Sequence, residues 1–116
     1  MYSALIKSTL GALETNVFYG RGRYKVEDDS WDSIVFGQRR LAQPSSSRFD
    51  YVATYFVSIV REEEVEHETV MAVIEAMKGI GFKPSGEAAY TYAHKNQDAV
   101  IEVCYLEFSK TIKRVC

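Results

Sequence analysis

The run DYVATYFVSIV, Asp50 to Val60, constrains this chain more than any other stretch. β-branched and aromatic residues dominate it, which predicts a long β-strand. In a pleated strand Tyr51, Ala53, Tyr55, Val57 and Ile59 fall on one side, and Val52, Thr54, Phe56, Ser58 and Val60 on the other. Both sides are largely apolar, so neither is left wholly to water. The strand must be sandwiched, and whatever else the chain supplies has to provide the layers.

How many layers it can supply follows from its size. With 116 residues the chain makes one domain with one core. Its apolar fraction of 47% and charged fraction of 26% are those of an ordinary globular protein. Fourteen Lys and Arg against 16 Asp and Glu leave a net charge of −2. That balance provides no general attraction to nucleic acid or to an acidic membrane. No stretch approaches the ~18 apolar residues of a membrane span. Cys104 lies in an apolar strand pattern and Cys116 is the last residue, an arrangement unlike a disulfide-stapled module, so a reducing cytoplasm is the expected place of synthesis.

Two helices are predicted. The first covers roughly Tyr2 to Glu14, with Leu5, Ile6, Thr9, Leu10 and Leu13 on one face. The second is TVMAVIEAMK, with Val70, Val73, Ile74 and Met77 as its stripe and Lys78 and Gly79 as stop signals. Strands are expected from Val17, from Trp31 to Gln38, through the central run, and in a final hairpin of AAYTYAH and AVIEVCYLEFSKTI. In that hairpin Tyr90, Tyr92 and His94 share a face, and Ile101, Val103 and Tyr105 oppose Cys104, Leu106 and Phe108. The segment RRLAQPSSSRF reads as a mobile loop over residues 39–49, and the KTIKRVC tail as loosely held. The predicted fold is α+β: two helices packed on an antiparallel-dominated sheet of four to five strands. The two helices cover one face of the central strand. A second subunit is the expected cover for the other, with an internal β-layer as the alternative.

Motifs with chemical meaning are weak. The pair Gly20 and Gly22 is followed by RYKVEDDS, not by the further glycines and helix start of a phosphate loop. His67 stands among Glu62, Glu63, Glu64, Glu66 and Glu68, but with no second histidine and no metal-ligand spacing; acids at a helix start are independently favoured by the helix dipole. His94 lacks an acid or nucleophile partner in the sequence. No catalytic, cofactor or metal site is expected.

The helix followed by VFYGRG, then WDSIVFGQRR, the serine-rich loop, DYVATYFVSIVRE, the helix ending AMKGIGF and the hairpin YTYAHKNQDAVIEVCYLEFSK together resemble the small tail-completion, tail-terminator or head–tail joining proteins of long-tailed bacteriophages. The resemblance spans essentially the whole chain and lies in element order and texture. It implies a non-enzymatic virion protein, made in the host bacterial cytoplasm, that assembles as a ring, commonly a hexamer, at the tail end or head–tail interface. Its partners would be copies of itself and the tail-tube and head-connector proteins, with no membrane and no specific nucleic acid. The candidate assembly contacts are Arg39, Arg40, Arg48 and Phe49 of the loop, Tyr51 and Tyr55 of the strand, and Glu62, Glu63 and Glu64 of the acidic joint. The alternative is a small monomeric α+β module binding a peptide or RNA.

Overall fold

A computed structural model describes residues 2–20, 32–42, 50–94 and 100–113. Two helices, α1 (Tyr2–Gly11) and α2 (His67–Gly79), pack on a six-stranded sheet. The strands are β1 (Val17–Tyr19), β2 (Ser33–Ala42), β3 (Asp50–Arg61), β4 (Lys83–Pro84), β5 (Ala89–His94) and β6 (Val100–Lys113). The order across the sheet is β1-β2-β3-β6-β4, and β5 pairs with the same outer side of β6. Only the β1 to β2 pairing is parallel. The expected architecture is present, the strand expected from Val17 included, with one strand more than four to five because Lys83–Pro84 adds a short edge piece.

The predicted central strand is central. All 12 residues of β3 pair with β6, from Asp50 opposite Lys113 to Arg61 opposite Glu102. Its odd-numbered side chains make one side of the core. Tyr55, Val57 and Ile59 meet Ile34 and Phe36 of β2 and Cys104, Leu106 and Phe108 of β6. The helices close that layer with Ile6, Leu10, Val70, Val73 and Met77, all buried. Each fully buried large side chain contributes about 1.5–3 kcal/mol by leaving water, so this single layer carries most of the fold.

Several boundaries differ from expectation for local reasons. Helix α1 stops at Gly11, and Leu5 and Leu13 are 43% and 42% exposed, so its buried stripe narrows to Ile6 and Leu10. Helix α2 starts two residues early, taking in His67 and Glu68, and runs through Gly79. It is ended by Gly81, not Gly79: with φ +91 at Gly81, the Phe82 N–H reaches back to the Met77 carbonyl at 2.9 Å. That turn drops Phe82 into the core, edge-on to Tyr2 and Tyr55 at 5.8 and 5.4 Å. The tail expected to be loose is strand as far as Lys113, because residues 110–113 pair with Asp50–Ala53.

Candidate assembly surfaces

Both helices lie on one side of the sheet, so the even-numbered side chains of β3 face the other way. Thr54 and Val60 are buried there, while Val52, Phe56 and Ser58 are half-buried. Across β6 the same face carries Val103, Tyr105, Glu107, Ser109 and Thr111. No second β-layer covers it among the described residues.

The middle of this face is an aromatic and ionic cluster. Phe56 stacks on Tyr105, with ring centres 5.8 Å apart and planes 14° from parallel. The ring also lies over Gly37: a Cβ on that glycine would stand 2.9 Å from a Phe56 ring carbon. A glycine inside a strand is a signal of close approach that sequence alone offered. Tyr105 donates its hydroxyl to Glu107 at 3.0 Å, and Arg39 approaches the same carboxylate at 3.6 Å. Burial pushes the Tyr105 hydroxyl pKa up and the Glu107 carboxylate adds to this, with Arg39 pulling it back in part. Tyr19, Gly20 and Gln38 complete the rim of an open depression of about 410 Å³.

Arg39 and Arg40, expected in a loop, belong to β2. Gln38 pairs with Tyr55 and Arg40 with Thr54, so the register slips by one residue at Arg39. A bulge of this kind reverses which face each later residue serves. Arg40 and Ala42 therefore register with the open-face residues Thr54 and Val52, and Leu41 registers with Ala53 on the helix side. Leu41 is 63% exposed. Arg48 and Phe49 lie outside the described residues. Tyr55 is 5% exposed and its ring is engaged by Phe82, so it serves the interior. Tyr51 is half-buried, opposite Ile112.

The acidic joint lies at the other end of β3. Asp32, Arg61, Glu62, Glu63, Glu64, Glu66 and Thr69 line a second open depression, of about 420 Å³. The joint is pinned from both sides: the Asp32 carboxylate accepts the Glu62 N–H at 2.9 Å, and Glu102 accepts the Val65 N–H at 2.7 Å. Arg61 is half-buried in an ion pair with Glu14 at 3.1 Å. Glu63, Glu64 and Glu66 are exposed. Among the described residues no group of three or more His, Cys, Asp or Glu is arranged to hold a metal.

Among the described residues, the one with the greatest intrinsic nucleophilicity is shielded. Cys104 is fully buried, and burial raises its thiol pKa, which keeps it in the poorly nucleophilic protonated form. Among the described residues no helix is long and apolar enough to cross a membrane. No known protein-family profile matches the chain, and no curated protein is significantly similar to it.

Proposed function

We propose that this chain is a non-enzymatic structural protein of a phage virion that assembles as a ring at the tail end or head–tail interface, completing the tail and joining it to the head. The observation that carries the reading is the one-sided cover of the sheet. Strands of 10, 12 and 14 residues present a face with Val52, Phe56, Val103 and Tyr105 half-buried, while both helices occupy the opposite side. A contact between subunits uses such a surface. The order of helices and strands also follows the segments that carry the resemblance.

A peptide- or RNA-binding module is the second reading, favoured by the Phe56–Tyr105 pair on neighbouring central strands beside Arg39. Glu107 within the same cluster and the net charge of −2 weigh against RNA. Electron microscopy at high protein concentration, with the purified chain added to tail tubes, separates the two. Rings, or label confined to one tube end, are the expected result; a strict monomer that binds single-stranded RNA and never decorates a tube end would overturn the reading.

A further inference from the structure

The two ends of the sheet differ in charge. At one end β2, β3 and β6 continue as a three-stranded tongue made of residues 38–42, 50–54 and 109–113, and the molecule is 54 Å long but only 25 × 24 Å across. Among these positions the described side chains include the bases Arg39, Arg40 and Lys110 against the single acid Asp50. At the other end the 61–66 joint holds Glu62, Glu63, Glu64 and Glu66 beside Asp32, against the single base Arg61, which Glu14 already neutralises. From Arg40, opposite Thr54, to Glu62 is eight residues of strand, about 26 Å at 3.3 Å per residue. That distance exceeds the ~8 Å screening length at physiological salt several times over. The two ends are therefore independent charges, and within one molecule they cannot meet.

The β2 strand of the tongue also lacks cover. Gln38, Arg39, Arg40, Leu41 and Ala42 are all exposed, and Leu41 is among the most exposed large apolar side chains described. Arg40 has no carboxylate partner among the described residues, and neither Glu63, Glu64 nor Glu66 has a basic one. We propose that the tongue of one copy docks on the acidic rim of the next, with Arg39 and Arg40 set against Glu63, Glu64 and Glu66 and Leu41 as the apolar contact. The occupant is a second copy of this chain because the same molecule carries both halves of the complementary pair. Two different patches joined in this way make a head-to-tail contact, which closes into a ring when the rotation per subunit allows. The inference deepens the ring reading and rests on it for its biological setting; the contact itself rests on shape and charge.

Charge-swap variants of the full chain test it by mass in solution. The wild type is expected to exceed 13.2 kDa at high concentration in low salt and to dissociate as salt rises. R39E/R40E, which turns the tongue's exposed bases to acids, and E63K/E64K, which sets two bases in the rim, should each associate about tenfold more weakly or less. R40E alone leaves the Arg39–Glu107 pair intact and guards against a folding effect. An equimolar mixture of the two double variants regains complementary contacts at every junction and should recover wild-type association. The proposal is overturned by a wild type that stays at the protomer mass, by single-type variants that associate as the wild type does, or by a mixture that fails to recover. None of those results touches tail-end localisation, which is judged separately on tubes, so failure here and failure of the ring reading are distinguishable.

Discussion

Phe56 lies so close over Gly37 that the glycine's missing side chain is the condition for the ring's position: a Cβ there would sit 2.9 Å from one ring carbon and 3.2 Å from the next. On its other side the ring stacks on Tyr105, a contact that any shift away from Gly37 disturbs.

Gly37→Ala is accordingly expected to lower stability by about 1–3 kcal/mol, the usual cost of overpacking a buried site. Pairing it with Phe56→Leu should recover part of the loss. Urea unfolding of the four members of the cycle checks this; additive single effects would mean that the two side chains do not meet in solution.

The ion pair between Glu14, just beyond α1, and Arg61, at the end of β3, is mostly shielded, with side chains 14% and 16% exposed. Removing one partner leaves a half-buried charge without its counter-ion. Arg61→Met should cost about 1–2 kcal/mol, below the 3–5 of a fully buried pair, and Glu14→Gln in the same chain should return much of it. A coupling near zero in the double-mutant cycle would place this pair with ordinary surface ion pairs.

Lys110 ties the tongue to the helix layer. Its ammonium lies 5.0 Å from the Tyr2 ring centre and 5.6 Å from that of Phe82, and it donates to the Ile80 carbonyl at 3.2 Å. Lys110→Met keeps the stem but loses these contacts, for an expected loss of about 1–2 kcal/mol. Thermal unfolding measures it, and hydrogen exchange should show faster opening at Ile80 to Phe82.

Alkaline pH should weaken the fold. Burial raises the Cys104 thiol and the Tyr105 and Tyr55 hydroxyls above their ordinary values. A group whose pKa is higher folded than unfolded stabilises fully below its unfolded value, about 8.5 for Cys and 10 for Tyr, and loses that contribution as pH climbs toward the folded value. The denaturation midpoint should therefore fall from about pH 8.5 upward. Cys104→Val should flatten the first part of the fall and Tyr105→Phe the later part; identical curves for all three proteins would remove these groups from the pH response.

Much of the sheet was legible because strand alternation is a local property. The two faces of β3, the pairing of the last two strands and the opposed sets in β6 follow from a two-residue period, and a one-residue error would have put Tyr or Phe in the wrong layer. Helix α2 was legible by the same logic at a period of 3.6. Residues 39–42 were not. The serines, Pro44 and arginines of the 39–49 segment have turn composition, yet residues up to Ala42 are strand, because Arg40, Leu41 and Ala42 pair in register with Thr54, Ala53 and Val52; residues 43–49 lie outside the described residues. Those partners are distant in sequence, so composition could not report them. The last strand, expected to reach Ile112, does so and takes in Lys113 from the segment also read as a loose tail, again through partners on β3.

By itself, then, the sequence determined the layer type: periodicity and length set two helices against a β-sheet around one core, with Asp50–Val60 at its centre. Tertiary structure alone decided which side the helices take, where the bulge at Arg39 reverses the strand faces, and that basic and acidic residues gather at opposite ends. Those outcomes depend on register between strands, and register is fixed by contacts between residues tens of positions apart, Gly37 with Phe56 and Phe56 with Tyr105 among them. No local pattern carries that information. The central strand was recognisable as a strand with two apolar faces, and only the folded chain assigned one face to the core and the other to half-exposure.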